Sequence, residues 1–343
     1  KRLLFCLIVI LSCNRNNPVD NQEIEYNAIC INDYSENGEL LFCDQNCINI
    51  NNDCYYIDDI EILDEIIYDS DFINFDMDSD SSGIIDPLEL GSQSWIDGRI
   101  INLDCNYDSI TCNIPGPIHP SIFQLKTLEN LDLSSNNITG DIPIEIDNLI
   151  NLESLILSNN LIHGQIPTTI GNLNNLKELN LFNNELTGII PFEISNDINL
   201  EVLNLSGNRL GGKIYWLDSL VNLVSLDLSK NSFSGEIPVG MENLIDLEYL
   251  NLEKNYFYSS IPAGIVSLNN LKYIDLSDNL LFNSIPSGIN SFDSLSILDL
   301  RYNALSGEIP EEICNQGDST PLLDGNHLCP PYPECLSDSD IGI

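Results

Sequence analysis

The sequence predicts an α/β solenoid in which successive coils stack and each coil adds one short strand to a parallel sheet. Within a coil, apolar residues alternate with polar ones, and an asparagine recurs just after them. Because no single coil can bury its own leucines, stacking of neighbours must create the core. Leucines return every 24 residues through the middle of the chain, as in Leu128, Leu152, Leu176 and Leu200.

Each coil is expected to begin with a strand and to end in a return segment. Leu131 and Leu133 alternate with polar residues, a period of two that predicts a short strand with one buried face. Gly140 allows a turn that a Cβ would hinder, and Pro143 removes a backbone donor on the return arm. Apolar side chains of that arm are expected to fill the coil from the other side, namely Ile142, Ile146 and Leu149.

A column of asparagines follows the strands. An unpaired amide inside the coil would cost about 1–3 kcal/mol, so we expect these side chains to bond backbone groups of their own and neighbouring coils. The column therefore predicts a hydrogen-bonded ladder. Its members are Asn136, Asn160, Asn184, Asn208, Asn231, Asn255, Asn279 and Asn303.

Written as one repeat, the pattern is L-x-x-L-x-L-S-x-N-x-L-x-G-x-I-P-x-x-I-x-x-L. It resembles the leucine-rich repeat, and its G-x-I-P half is similar to the plant-type subclass, which also occurs in bacterial and other eukaryotic proteins. The resemblance implies a leucine-rich repeat superhelix over residues 99–310. It further implies a concave parallel β-sheet, an irregular or 3-10 convex side, a small helical N-terminal cap, and a disulfide-closed C-terminal cap at residues 311–343.

The first residues resemble an export signal. A basic pair precedes an apolar run, Leu3 to Leu11, that is too short to span a bilayer, which predicts a signal peptide over residues 1–12. The string Ile10-Leu11-Ser12-Cys13 is similar to the bacterial lipobox, in which the cysteine is acylated. The resemblance implies lipidation at Cys13; an ordinary secretory signal with an incidental cysteine is the alternative.

Residues 13–56 form a polar, acidic tether with few apolar side chains. Its cysteines predict disulfides, with a metal site as the less favoured reading because no histidine lies nearby. The pairing does not follow from the spacing. The tether cysteines after Cys13 are Cys30, Cys43, Cys47 and Cys54.

Residues 57–98 are predicted to form a helical cap. Ile60, Leu63 and Ile67 share one helical face, and the acidic residues at its start suit a helix N-terminus. The following segment, Asp78 to Glu89, resembles an EF-hand calcium loop. The alternative is a solvated acidic loop, since a serine at place five and a proline depart from the pattern. The implied Ca²⁺ ligands are Asp78, Asp80, Ser82, Ile84 (backbone carbonyl), Asp86 and Glu89.

Cysteines also mark the two ends of the solenoid. An inserted loop in the first coil lies beside Cys105 and Cys112, so a disulfide between them would staple it. Trp95 is expected to cover the open end of the leucine core. The string LLDGNHLCPPYPEC resembles the C-terminal cap of plant-type repeat proteins, which implies a Cys329–Cys335 disulfide and leaves Cys314 without an evident partner.

Composition narrows the function classes. The chain has 53 acidic and 12 basic residues, for a formal net charge of −41. Nucleic-acid binding requires clusters of Lys and Arg, so this balance excludes a nucleic-acid partner. Without a nucleophile motif, Walker loop or zinc spacing, the sequence favours a protein that is not an enzyme. We expect a monomer that is extracellular or on the cell surface and meets a membrane only through its lipid, an outer-membrane lipoprotein being one form.

Two columns of side chains on the concave face of the later coils carry aromatic and basic groups. Tyrosine and arginine are enriched at binding hot spots, and neighbouring strands lie about 5 Å apart, so the columns predict one contiguous patch. The alternative is a chance grouping, because strands favour aromatics. The predicted ligand residues are Tyr249 and Tyr273 in one column, Lys230 and Lys254 in another with Tyr302 next in line, and Arg301 beside them.

These features predict an extracellular binding module that holds a protein or glycan ligand on its concave face. Lys254 and Arg301 would pair with acidic groups of that ligand. A structural or adhesive surface protein without a discrete ligand is one alternative. A secreted inhibitor of a hydrolase is another, because the resemblance to plant-type repeat proteins includes such inhibitors.

Overall fold

A computed structural model describes residues 33–34, 40–42, 47–50, 53–69, 87–106, 112, 114–196, 199–292, 294–318 and 320–341. The chain divides into two compact units, Lys1–Cys54 and Tyr55–Ile343. In the first unit, β1 (Asp33–Tyr34) pairs with β2 (Leu40–Phe42) in an antiparallel arrangement. The strands β3 (Cys47–Ile50) and β4 (Asp53–Tyr56) follow.

Helix α1 (Ile57–Asp69) caps the N-terminal end of the solenoid. Its face of Ile60, Leu63 and Ile67 is buried, as their spacing predicted. One turn of the helix also carries Asp59, a carboxylate with no solvent exposure, which accepts hydrogen bonds from Arg99 and from the backbone N–H of Ile100. The first strand of the solenoid is therefore tied to the cap by a buried charge pair.

The concave sheet has ten strands, and all its neighbours are parallel except the antiparallel pair at its N-terminal edge. That pair places Trp95 against the core and edge-on to Tyr55, with 5.0 Å between ring centroids. The strands are β5 (Ser92–Ile96), β6 (Arg99–Asp104), β8 (Asn130–Asp132), β10 (Ser154–Ile156), β12 (Glu178–Asn180), β14 (Val202–Asn204), β16 (Ser225–Asp227), β18 (Tyr249–Asn251), β20 (Tyr273–Asp275) and β22 (Ile297–Asp299).

A second parallel sheet of eight strands follows the asparagine column, where the sequence indicated only a turn. Its strands, which we call the lateral sheet, are β11 (His163–Gly164), β13 (Glu185–Ile189), β15 (Arg209–Gly212), β17 (Ser232–Gly235), β19 (Tyr256–Ser259), β21 (Leu280–Asn283), β23 (Ala304–Glu308) and β24 (His327–Cys329). In the coils before it, β7 (Pro115–Pro117) pairs with β9 (Asn137–Thr139).

The convex side consists of short 3-10 helices, as expected. Several of them begin directly after a proline in extended conformation, such as Pro143 (ψ 148°) and Pro167 (ψ 146°), a position at which the missing backbone N–H costs the helix no hydrogen bond. They are Pro120–Gln124, Ile144–Asn148, Thr168–Asn172, Phe192–Asn196, Leu217–Ser219, Val239–Asn243, Ala263–Ser267, Ile289–Ser291 and Glu311–Asn315.

The asparagine column forms the ladder that its recurrence predicted. The side chain of Asn160 donates to the carbonyls of Leu133 (2.9 Å) and Leu157 (3.1 Å) and accepts from the N–H of Ile138 (3.0 Å). Asn208 repeats this pattern in the next pair of coils but one: it donates to the carbonyls of Leu181 and Leu205 and accepts from the N–H of Leu186. Each amide thus joins consecutive coils and satisfies backbone groups that the turn leaves unpaired.

The C-terminal cap corrects one predicted disulfide. Cys335 is bonded to Cys314, not to Cys329, and the thiol of Cys329 is exposed and unbonded. The reason is that residues 327–329 form β24, which extends the lateral sheet and pairs Cys329 with Glu308. Cys314 instead lies within the last 3-10 helix, and helix α2 (Asp338–Ile341) follows Cys335 in the chain. At the other end, Cys105 is bonded to Cys112.

Within the described residues, no helix has the length and apolarity needed to cross a membrane.

Candidate functional site

Two tyrosines form the centre of the concave surface in the later coils. Tyr249 of β18 and Tyr273 of β20 lie directly opposite each other in register. Their rings are stacked, with centroids 4.5 Å apart and planes 14° from parallel. In-register pairing of parallel strands places identical side chains one above the other, so the stack follows from the repeat length. The pair presents an ordered, half-buried aromatic ridge to solvent.

A row of carboxylates runs beside the tyrosines, two residues further along each strand. The row crosses four adjacent strands, each residue in register with the next, and consists of Asp227, the amide residue Asn251, Asp275 and Asp299. The amide of Asn251 donates to Asp227 (3.4 Å), and Asp275 accepts hydrogen bonds from its own coil through Ser277 (2.6 Å from Oγ). We call Tyr249, Tyr273 and this row the concave patch.

Burial shapes the ionisation of this row. It raises the pKa of Asp227 despite hydrogen bonds from Ser229 that act in the opposite direction. Burial likewise raises the pKa of Asp275, and the nearby Asp299 adds to the rise. A carboxylate with a raised pKa is incompletely stabilised by the protein, so it gains from an added positive charge.

The tyrosine hydroxyls remain protonated donors at neutral pH. Burial raises the pKa of Tyr273, and the charge of Asp275, whose Oδ2 lies 3.3 Å from the hydroxyl, raises it further. Burial also raises the pKa of Tyr249, whose hydroxyl accepts a hydrogen bond from Asn251 at 3.3 Å. The patch therefore combines aromatic rings, hydroxyl groups and carboxylates whose negative charge the protein stabilises only in part.

The predicted basic residues are already engaged by acids of the protein itself. Lys254 contacts Glu253 and Asp278 (3.7 Å), and Lys230 contacts the same Glu253 (3.5 Å). Burial would raise the pKa of Glu253, but the two ammonium groups outweigh burial and lower it. These lysines thus neutralise a local acid, which leaves less of their charge for a ligand.

Arg301 is engaged in the same way. Its guanidinium forms a bidentate pair with Asp299, with Nε 3.0 Å from Oδ1 and Nη2 2.6 Å from Oδ2, and lies 3.9 Å from Asp324. These hydrogen bonds raise the pKa of Arg301. Lys254 and Arg301 are thus both paired with acids of the chain itself, and their pairing with acidic groups of a ligand stays a prediction.

Tyr302 lies apart from the tyrosine stack. It shares a left-handed backbone position with Lys230 and Lys254 (φ 53°, 55° and 52°), but Asp278 occupies the intervening coil of that column. Its ring is half exposed and lies 6.0 Å from the Arg301 guanidinium. The structure therefore brings Tyr249 and Tyr273 together and separates Tyr302 from them.

The carboxylate row is the part of the site that sequence reasoning missed. Acidic residues are so frequent in this chain that pairs of them carry no signal by themselves. The usable signal was positional: Asp227, Asp275 and Asp299 occupy one strand position in consecutive or nearby coils, two residues after the tyrosine column. Side chains two apart on a strand share a face.

Most of the predicted calcium ligands lie outside the described residues: Asp78, Asp80, Ser82, Ile84 and Asp86. Glu89 ends a short 3-10 helix, Pro87–Glu89, and is partly buried. Cys13 also lies outside the described residues. In the part of the chain that the structure describes, no group of three or more His, Cys, Asp or Glu side chains has metal-binding geometry.

Family models agree with the repeat pattern. A model described as leucine rich repeat matches residues 109–162 and 150–210. A second leucine-rich repeat model matches residues 222–244, 270–292 and 294–316. No curated protein matches the sequence.

Solved structures extend this likeness. The ectodomain of the Arabidopsis thaliana receptor kinase GASSHO1/SCHENGEN3, in complex with CASPARIAN STRIP INTEGRITY FACTOR 2, is 33% identical over 70% of this chain and 32% of its own, with a TM-score of 0.65. The plant peptide hormone receptor RGFR1, in complex with RGF2, is 36% identical over 64% of this chain and 37% of its own, with a TM-score of 0.59. The chain thus spans about a third of each receptor ectodomain.

A plant ice-binding protein covers more of both chains, 83% of this one and 93% of its own, with a TM-score of 0.68. At 24% identity this likeness shows the fold alone. The spacing, the stacked sheets and the family models agree: the repeats of this chain are leucine-rich repeats, and the chain contains a leucine-rich repeat solenoid.

Proposed function

We propose that this solenoid is an extracellular binding module whose concave patch holds a peptide segment of a protein partner. The observation that carries the proposal is the Tyr249–Tyr273 stack beside the half-buried carboxylate of Asp227 and the buried carboxylate of Asp275. Support also comes from the solved plant ectodomains, which were captured with a peptide hormone or another ligand. The ligands named there are ligands of those receptors, and no ligand of this chain is inferred from them.

The chemistry of the patch favours a basic segment. In the described part of this face, three cations lie among at least six carboxylates: Asp227, Glu253, Asp275, Asp278, Asp299 and Asp324. An arginine or lysine of the partner would be attracted by the acid row, and its cation would also interact favourably with a tyrosine ring. An acidic segment would be repelled.

Selection from a display library of short random peptides on the immobilised chain tests this proposal. We expect enrichment of arginine and lysine in the bound peptides, and affinity that falls with added salt because the attraction is electrostatic. Enrichment of acidic peptides, or no enrichment, would overturn the proposal.

A selected peptide then permits a matched comparison. Tyr249→Ala with Tyr273→Ala should weaken its binding at least tenfold, about 1.4 kcal/mol, measured by fluorescence anisotropy. Tyr256→Ala with Tyr258→Ala removes two exposed tyrosines from the lateral sheet instead and should leave the affinity unchanged. Equal losses in both double variants would show a general loss of fold, and no loss in the first would move the site elsewhere.

We further propose that Cys13 carries a lipid and that this anchor holds the module at a cell surface. The apolar run and the string Ile10–Cys13 support it. Mass spectrometry of the membrane fraction should find a diacylglyceryl-modified cysteine at the mature N-terminus. Cleavage elsewhere with an unmodified Cys13 would contradict the anchor without affecting the binding role.

A further inference from the structure

Four large apolar side chains are exposed on two adjacent strands of the lateral sheet. Tyr256 and Tyr258 of β19 are 56% and 43% exposed, and Leu280 and Phe282 of β21 are 55% and 43% exposed. Each pair is two residues apart and shares a strand face, and Tyr258 pairs in register with Leu280. Neighbouring strands lie about 4.8 Å apart, so the four side chains form one continuous surface away from the concave patch.

This surface lies on uncharged segments of two consecutive coils. Residues 255–271 and 279–292 contain no Asp, Glu, Lys or Arg, in a chain with a net charge of −41. The coil before them carries Glu236 and Glu242 in the corresponding segment, and the coil after them carries Glu308, Glu311 and Glu312. The chain segments that carry the exposed rings therefore hold no charged side chain.

The same two coils replace the turn glycine with a polar residue. Every other turn of the lateral region with this geometry uses glycine, for example Gly212 (φ 85°), Gly235 (φ 96°) and Gly307 (φ 88°). Ser259 (φ 94°) and Asn283 (φ 68°) adopt the same left-handed conformation, which is strained for a residue with a Cβ. No described residue hydrogen-bonds to either side chain. Each one directly follows an exposed aromatic residue in the sequence, Tyr258 or Phe282.

We propose that this lateral patch (Tyr256, Tyr258, Ser259, Leu280, Phe282 and Asn283) binds a neutral polysaccharide. A pyranose ring has an apolar C–H face that packs on aromatic rings and hydroxyl groups that bond to hydroxyl and amide side chains. The patch carries both kinds of group on two adjacent strands. A neutral chain requires no charged partner, and its approach is not opposed by the acidic protein, whereas an acidic polysaccharide would be repelled.

Retention of the full chain on insoluble cellulose, chitin and β-1,3-glucan tests the proposal, with alginate gel as the acidic comparison. We expect binding to at least one neutral polymer and none to alginate. The triple variant Tyr256→Ser, Tyr258→Ser, Phe282→Ser should weaken that binding at least tenfold. The matched control is Phe192→Ser with Tyr215→Ser, which removes two aromatic side chains of similar exposure, 58% and 69%, outside the patch; its binding should stay within twofold of the wild type.

A second variant separates binding from folding. Ser259→Gly with Asn283→Gly removes the polar groups and relieves the left-handed strain, so it should unfold at a higher urea concentration and yet bind the polysaccharide more weakly. Failure of the wild type to bind any neutral polymer would overturn the proposal, as would binding only to alginate or to a protein. Equal binding by the wild type and the triple variant would also overturn it. The concave patch is intact in all of these variants, so its peptide binding is judged separately.

Discussion

The buried carboxylate of Asp59 receives two hydrogen bonds, each 2.9 Å long, from the guanidinium of Arg99. This pair connects α1 to the first strand of the solenoid, and the guanidinium also lies 4.2 Å above the ring of Tyr56. The backbone N–H of Ile100 donates a third hydrogen bond to the carboxylate. The cap is thereby fixed at the open end of the leucine core, where the terminal coil has no neighbour on one side.

Loss of this pair should loosen the cap. Breaking a buried ion pair by removing one partner costs about 3–5 kcal/mol, and we expect Arg99→Met to lie near the lower end because Arg99 is 30% exposed. Urea unfolding followed by circular dichroism measures the change. Lys177→Met breaks an exposed pair with Glu153 and should leave the midpoint unchanged; equal shifts in the two variants would contradict a special role for the buried pair.

The asparagine ladder predicts that the loss of one side-chain amide destabilises the solenoid. Asn160→Ala leaves the buried N–H of Ile138 without its acceptor, and an unsatisfied buried group costs about 1–3 kcal/mol. The carbonyls of Leu133 and Leu157 each lose one of two donors and keep the bonds from Asn136 and Asn184. The free energy of unfolding should fall by about 1–3 kcal/mol. Asn175→Ala, which removes an exposed bond to Ile150, is the control and should have little effect.

The raised pKa of Asp227 predicts a pH dependence with a definite sign. Because the folded state holds this proton more tightly than the unfolded state, the contribution of Asp227 is most favourable below the ordinary pKa of 3.8 and is lost as pH rises through the raised value. Asp227→Asn should therefore stabilise the solenoid at neutral pH and match the wild type more closely in acid. Urea unfolding from about pH 4 to pH 7 measures this difference.

The exposed Asp246→Asn provides the control for that experiment, since it shares the substitution without the burial. A wild-type protein that is more stable than the Asp227→Asn variant at neutral pH would contradict the prediction. The same Asp227→Asn variant should bind a basic peptide more weakly, so stability and binding are expected to change in opposite directions.

Cysteine connectivity is open to direct measurement. Proteolysis under non-reducing conditions should yield one peptide pair joined through Cys314 and Cys335, while a maleimide added to the native protein should label Cys329. Cys329→Ser should not change the urea midpoint, whereas Cys335→Ser should lower it because the loop closed by the disulfide gains entropy when unfolded. A peptide joined through Cys329 would contradict the structure.

Binding of one Ca²⁺ ion by the segment Asp78–Glu89 stays a prediction. The affinity is expected to be of extracellular type, with a Kd of about 10⁻⁴–10⁻³ M. Glu89→Gln should weaken Ca²⁺ binding, measured by calorimetry, and lower the melting temperature of the cap in the presence of Ca²⁺. No heat of binding in the wild type would refute the site, and the acidic loop would then be only solvated.

The sequence alone predicts the solenoid, the asparagine ladder and the strands of the concave sheet. The 24-residue return of Leu128, the alternation at Leu131 and Leu133 and the recurrence of Asn136 are local patterns, and each has one physical solution in a stacked coil. The stacking of Tyr249 on Tyr273 also followed, because equal repeat lengths bring equal positions into register.

The contacts between side chains of different coils become visible only in the folded chain. The lateral sheet, the partner of Cys335 and the pairing of Arg301 with Asp299 depend on side-chain directions and inter-coil distances that no spacing encodes. The carboxylate row is a further case, because the sequence contains 53 acidic residues and only the structure shows which of them are buried side by side. A repeat specifies its own backbone because every coil solves the same packing problem, whereas its surface chemistry emerges only when neighbouring coils are placed side by side.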